Sequence, residues 1–430
     1  MRNNVHGTPG NGTESGGAMD HTAHPLLDPH FAAERSRLLH LIRLSYRRMR
    51  QDDEAYRQEL TRFFFPIGSQ SNDMRLPQML ARASEYLREA DIYLDATLDI
   101  LPEERLGSVL PDQEVRDCHD VRDLMRISFD GPSTLKRFEA RRKLFLAQTL
   151  LHIDQCRVIQ DGPRHLSHFE EILNRGLWQH TRQIHDLTVG YRLGPDGHTI
   201  EYTSRPQPDH MLWDFRSTFL EKKHDGRNIC LDVLYYNCRF KMAVAPLGYE
   251  LIDGRHRVVE KTRFDRMRQQ SAGSVLSKMI RKGINNPDEI GDLIGAMFIV
   301  PDTDSLNDLL SLLDACLGNS FGWRNVTDTL AKTRYGSALN TFSSKGFKVF
   351  KGDVDILFEE YGGGRPYRFP VEIQIFSLES YLRTVCGEHE ANHLALKQRQ
   401  FMFGVVPRMF PLEIYGEDWT SEDDKIENTD

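Results

Sequence analysis

An α+β fold, an N-terminal helical region followed by a mixed sheet with flanking helices, is what this sequence predicts. Three observations carry it. Hydrophobic residues make up 39% of 430 positions, with 23 Phe, 14 Tyr and 4 Trp, enough apolar material for a core. At roughly 100–200 residues per domain, the length suggests two or three domains. The apolar rhythm changes once: 3.6-residue spacing runs from about residue 31 to 190, and two-residue alternation begins near residue 228.

The same arithmetic excludes several classes. No stretch approaches the run of about 20 apolar residues that a membrane span needs, so no membrane partner is expected. The opening MRNNVHGTPGNGTESGG has no apolar core of a secretory signal. The net charge is −8, which argues against an extended polyanion-binding surface but not against local basic patches. The six Cys form no CxxC, so reduced thiols in a cytoplasm fit better than a disulfide or zinc scaffold.

Residues 1–30, rich in Gly, Asn, His, Thr and Pro, read as a flexible arm. Residues 31–215 read as a helical region. Leu38, Leu41, Ile42 and Met49 lie near one helix face, and Met79, Leu80, Tyr86, Leu87 and Tyr93 mark a second helix ending near Pro102. Further helices are expected over 134–157 and 167–187. Residues 216–415 read as one mixed sheet with flanking helices. The expected strands are 229–236, 239–244, 256–264, 295–300, 347–351, 353–359 and 369–376, and the expected helices 272–282, 303–317 and 377–400. Gly362, Gly363, Gly364 and Pro366 mark the tip of a hairpin. The tail 416–430 is acidic.

Five groups of residues have the types that chemistry needs. Arg268, Ser274 and Lys278 surround the start of one helix, where N–H groups and a partial positive charge suit a polyphosphate, although the pattern also reads as a solvated basic face. Asp292 sits where an apolar stretch enters a strand, a place for a metal ligand or a helix cap. Asp353 and Asp355 share one strand face, and Glu372 and Gln374 share a face of the next. A Glu between Val371 and Ile373 faces solvent or is buried for a purpose. In SKGFKVFKGD, Phe347 offers a flat ring and Lys345, Lys348 and Lys351 supply charge, a way to hold a base and its phosphates as well as an ordinary strand. Cys386, His389 and His393 share a helix face without a clear fourth zinc ligand.

Taken in order, RMRQQSAGSVLSKMIRKG, DLIGAM, KGFKV, VEIQIF and GEHEANHLALK resemble the RelA/SpoT synthetase domain, the nucleotidyltransferase-like fold of alarmone synthetases, over about residues 256–400. VEIQI followed by EH is the most specific match, and DLIG the next.

The resemblance implies Mg²⁺-assisted pyrophosphate transfer from ATP to the 3′-hydroxyl of a guanine nucleotide, giving an alarmone such as ppGpp, or to a related acceptor such as an RNA 3′ end. It implies that Arg268, Ser274 and Lys278 contact ATP, and that Asp292 and Glu372 hold Mg²⁺, with Glu372 also activating the attacking hydroxyl. Phe347, Lys348, Gln374 and His389 would form the acceptor pocket. The sequence departs from the family pattern at Gln270, where a Lys is usual, at Met297, where an Arg is usual, and at Phe376-Ser377, where Arg-Thr is usual. The alternative is therefore an inactive relative that senses nucleotides or serves as an interaction module. The helical region matches no part of the resemblance and is expected to regulate, neutralise or bind a protein partner.

Overall fold

The computed structural model describes residues 42–65, 75–99, 101, 103–197, 199–240, 247–252, 255–260, 272–318, 322–329, 349–359, 366–386 and 401–416; side chains of 75–76, 247–252, 255–260 and 272–274 lie outside the description. The architecture is α+β, helices first and then sheets.

The helical part comprises α1 (Ile42–Gln51), α2 (Asp53–Phe64), α3 (Arg75–Leu98), α4 (Val121–Asp130), α5 (Thr134–Gln155), α6 (Gly162–Gly176) and shorter turns between them. Asp52, Asp120 and Ser133 start α2, α4 and α5 with side-chain oxygens that accept backbone N–H groups. α5 lies at the centre, packed by α1, α3 and α4. It buries charged residues as well as apolar ones, and each finds partners. The Lys143 ammonium, 1% exposed, donates to Asp91 at 2.8 Å and to the carbonyls of Val115 and Arg116 at 3.0 and 2.8 Å. Arg142 donates to the Met409 carbonyl and the Tyr415 hydroxyl, both at 2.8 Å, and lies 4.7 Å from the Phe410 ring centre. These contacts hold the 401–416 segment against the helices, although it is over 250 positions away in sequence.

The helical run ends at residue 180, earlier than the spacing predicts. The expected helix over 167–187 is α6, Gly162–Gly176, and β1 (Thr181–Leu193) follows a single 3₁₀ turn. β2 (Ile200–Thr203) and β3 (Met211–His224) also fall inside the expected helical region, and β3 crosses the expected boundary at 216. Leu187, Val189, Tyr191 and Leu193 alternate, as do Met211, Trp213 and Phe215, so the two-residue period was present; interspersed Asp, His, Arg and Thr obscured it.

There are two sheets rather than one. The first has order β2-β1-β3-β7-β6, with β4 (Arg227–Val233) also paired to β3, and includes β6 (Leu247–Ile252) and β7 (Arg255–Glu260). Asp225 and Gly226, with φ of 48° and 77°, make the two-residue turn between β3 and β4; both angles lie in the left-handed region that such a hairpin requires. The expected strand 229–236 is split: the chain leaves β4 at Val233 and enters the second sheet as β5 (Tyr235–Phe240), with the Leu234 N–H donating to the Ile299 carbonyl at 2.9 Å.

The second sheet has order β5-β8-β11-β10-β9, comprising β8 (Ile294–Val300), β9 (Trp323–Asp328), β10 (Phe350–Phe358) and β11 (Tyr367–Ser377). Only the β8–β11 pair is parallel. The expected hairpin is present as β10–β11, from Phe350↔Ile375 to Phe358↔Tyr367, and residues 350–351 and 353–358 of the two expected strands 347–351 and 353–359 fall on the single strand β10, while 347–348 lie outside the described residues. α7 (Ala272–Lys282) and α8 (Thr303–Leu317) match the expected helices; α9 (Leu378–Val385) starts where the expected 377–400 helix starts but stops well short of it, because Cys386 takes extended backbone, and residues 387–400 lie outside the described residues. The glycine tip 362–364 and residues 241–244 and 261–264 of the expected strands lie outside the described residues.

One face of this second sheet, with Phe298, Val354, Ile356, Phe369, Val371 and Ile373, joins the main core beneath α6 and α8. Within it His165 of α6 is fully buried and stacks on Phe369 at 4.1 Å. The Tyr367 hydroxyl donates to Asp161 at 2.7 Å, which leaves the His165 Nε2 as donor to that hydroxyl at 2.6 Å. Burial pushes the imidazole from 6.5 down to about 4. The unfolded chain therefore takes up this proton first as pH falls, and stability is lost between about pH 6.5 and 4. In His165→Phe, which keeps an aromatic ring there, the loss of melting temperature across that window is expected to be shallower than in wild type.

Candidate functional site

The opposite face of the second sheet is apolar at one end and polar at the other. At the apolar end Ile299, Val349 and Phe376 pack with Val189, Tyr191, Trp213 and Phe215 of the first sheet and Tyr381 of α9. Ser377 does not extend the strand's chemistry; it caps α9 by accepting the Ser380 N–H. Met297, where the resemblance expects an arginine, leans into this apolar cluster.

Beyond Met297 the face turns polar, and register explains why. Residues directly opposed on neighbouring strands share a face. Arg239 opposes Gly295, Gly295 opposes Glu372 and Glu372 opposes Asp353, so these four residues form one row. Asn237, Met297, Gln374 and Lys351 form the adjacent row. Gly295 has no side chain, which leaves open sheet between Glu372 and the exposed Arg239, two strands or about 10 Å apart at the usual strand spacing.

Asp292 joins from the turn that enters β8, after a 3₁₀ turn capped by Asn286. It does not start α8, which Asp302 caps. Asp353 lies against the same turn, since a Cβ placed on Gly291 would stand 3.0 Å from its Oδ2. Asp292, Asp353 and Glu372 are 8%, 7% and 5% exposed, unusual burial for carboxylates without a structural or chemical reason.

Each carboxylate has a partner. The Lys278 ammonium, from α7, forms an ion pair with Asp292, and the Lys351 ammonium one with Glu372. Gln374 Nε2 donates to Glu372 Oε1 at 2.6 Å, so the Gln two positions along orients the Glu. Asn325 Nδ2 donates to Asp353 Oδ2 at 2.7 Å. Asn325 has φ of 50°, and the β9–β10 register slips beside it, a bulge that turns this side chain toward the site. Burial raises the Asp353 carboxyl above its ordinary value; the Asn325 hydrogen bond opposes this, and the Glu372 charge adds to it. For Lys351 burial works against the charge, but the Glu372 carboxylate outweighs it and the ammonium is raised.

A carboxyl raised in the folded state favours its protonated form there, so ionised Asp353 costs stability above its folded value, and that cost disappears below 3.8. Asp353→Asn is expected to raise the melting temperature at pH 8, with the gain vanishing at pH 3.5.

The structure thus gathers Asp292, Glu372, Lys278 and Gln374 of the residues expected from sequence. Ser274 lies on the first turn of α7, with its side chain outside the description. Arg268, Phe347, Lys348 and His389 lie outside the described residues. Sequence reasoning did not pick out Asn325, whose role depends on a bulge, or the pairing of Lys351 with Glu372, which depends on hairpin register. Among the described residues no three His, Cys, Asp or Glu side chains stand close enough to hold a metal by themselves, and no helix is long and apolar enough to cross a membrane.

Comparison with known proteins gives structural matches only. No family model matches the chain, and no curated protein does. Among solved structures, it is similar to small alarmone synthetase 2 from Bacillus subtilis, with 14% identity and a TM-score of 0.22 over 36% of this chain and 59% of that one. The chain thus spans less than two thirds of that protein. It is also similar to small alarmone synthetase 1 from Bacillus subtilis bound to its product pppGpp, with 20% identity and a TM-score of 0.22 over 33% and 72% of the respective chains. A GTP pyrophosphokinase family protein from Streptococcus pneumoniae matches with 16% identity and a TM-score of 0.22 over 40% and 66%.

Proposed function

We propose that this chain transfers pyrophosphate from ATP to the 3′-hydroxyl of a guanine nucleotide or a related acceptor. The observation that carries the reading is the convergence of Asp292, Asp353 and Glu372, from three chain segments, with Lys278 and Lys351 at the polar end of one sheet face. Phosphoryl-type transfer is mostly positioning and charge neutralisation, and this face offers both.

The donor chemistry suits Mg²⁺, which takes one or two carboxylates together with substrate phosphates. Lys278 and Lys351 stand as cations against Asp292 and Glu372, which supports reading these oxygens as arranged to hold positive charge. Asp292 and Glu372 would hold the ion, and bound there it would neutralise phosphate oxygens. In this reading Lys278 and Lys351 turn from the carboxylates to the polyphosphate. Arg239, one strand beyond Gly295, supplies the cation that Met297 does not. Glu372, held by Gln374, takes the proton of the 3′-hydroxyl as its oxygen bonds to the β-phosphorus. The bond from that phosphorus to the α,β-bridging oxygen breaks, and AMP leaves. The reaction belongs with cytoplasmic nucleotide pools.

A second reading, a nucleotide-sensing module without turnover, is favoured by Met297, which leans into apolar packing, and by carboxylates already paired with lysines. Measuring AMP release from ATP and Mg²⁺ with GDP, GTP or RNA separates the two. Acceptor-dependent AMP formation is expected; calorimetric binding of ATP without AMP from any acceptor would favour the sensor.

A further inference from the structure

We propose that the cavity between α1, α5, the end of α7 and the 408–414 segment is a second ligand site, one that takes a polyphosphate anion. Its volume is about 740 Å³, within the range of small-molecule pockets. Arg43, Arg47, Arg50, Arg137, Arg141 and Arg408 line it, while its acidic lining residues are Asp53 and Glu413.

The pairing leaves charge over. Arg141 holds Asp53 with two hydrogen bonds, at 2.6 and 2.7 Å, and Arg50 pairs with Glu413. The other four arginines form no ion pair with a carboxylate among the described residues, although Arg137 lies near enough to Asp53 to help lower its carboxyl. Arg43 donates to the Gly283 carbonyl; Arg137 donates to the Gly131 carbonyl at 2.8 Å; Arg408 donates to the Gly404 carbonyl at 2.9 Å. Arg47 is exposed at the rim. In a chain of net charge −8, unneutralised guanidinium groups gathered in one cavity repel each other and draw an anion in. Guanidinium is also the side chain that grips phosphate oxygens bidentately. Tyr46 and Phe138 add rings to the wall, against which a base can lie.

This site is separate from the acidic cluster and does not rest on the transfer reaction. The two share α7, however. Met279, Ile280 and Gly283 line the cavity, while Lys278 of the same helix reaches Asp292. An anion held by Arg43 therefore bears on the end of the helix that supplies Lys278.

Calorimetric titration of the full chain with inorganic tripolyphosphate and, separately, ATP tests the proposal. Wild type and Lys278→Ala are both expected to bind tripolyphosphate at this site, more weakly as salt rises. Arg47→Glu is expected to weaken it roughly tenfold or more, with Arg47→Lys recovering part of the loss. Arg47 faces solvent, so the variant should fold, and circular dichroism checks this. Tighter binding of ATP than of tripolyphosphate would assign the aromatic wall to a base; equal binding would assign the site to the phosphate chain alone. Absence of binding by wild type, or binding lost in Lys278→Ala and unchanged in Arg47→Glu, overturns the proposal.

Discussion

Glu372→Gln is expected to lower pyrophosphate transfer about 10²- to 10⁴-fold, the usual contribution of a general base. The substitution keeps side-chain length and retains an oxygen for the Gln374 amide, which now donates to Glu372 Oε1 at 2.6 Å. What it removes is the charge that accepts the hydroxyl proton and faces the Lys351 ammonium. Unlike Lys143, Lys351 keeps 35% of its side chain exposed and can turn to water once unpaired, so the loss of folding stability should be smaller than the rise in the barrier. Equal losses in both would point to a structural carboxylate. Because this carboxylate is 5% exposed and also joins the proposed Mg²⁺ set, the variant should bind Mg²⁺ and ATP together less tightly as well.

Lys143→Met is expected to destabilise the protein by about 3–5 kcal/mol, the cost of breaking a buried ion pair by removing one partner. The substitution keeps most of the side-chain volume but leaves Asp91, among the described residues, with His119 at 2.9 Å, and strands the carbonyls of Val115 and Arg116. Burial pushes the Asp91 carboxyl up and the Lys143 ammonium down, so each charge is opposed by desolvation and persists because the other is present. The double variant Asp91→Leu/Lys143→Met should accordingly recover part of the single variant's loss in chemical denaturation. A double variant worse than the single would contradict this account. The effect belongs to the helical part and should reach the sheet only through global unfolding.

The sequence made some elements readable and hid others for physical reasons. α7 and α8 follow directly from apolar spacing, and β8 from the apolar run Ile294–Val300. The β10–β11 hairpin follows from two alternating stretches around a glycine tip. β1 to β3 were hidden because the inward residues of β1, such as Leu187, Val189 and Tyr191, stand among polar residues such as His185, Asp186, Thr188 and Arg192 that also suit an amphipathic helix. The split at Leu234 was hidden because the apolar run 233–236 passes from one sheet to the other without a break. At the site, a Glu between Val371 and Ile373 left exposure and burial both open in the sequence, and its 5% exposure selects burial. Asp292 was ambiguous, since entry turns and helix caps select the same residue. Arg239 was invisible as part of the site, because only cross-strand register brings it into the row of Glu372.

The most direct test of the transfer reaction is the fate of label from ATP. With γ-labelled ATP, Mg²⁺ and a guanine-nucleotide acceptor, label should reach the acceptor's 3′ position while an equal amount of unlabelled AMP appears. Label found only in inorganic phosphate, or an acceptor labelled with release of ADP, would contradict it.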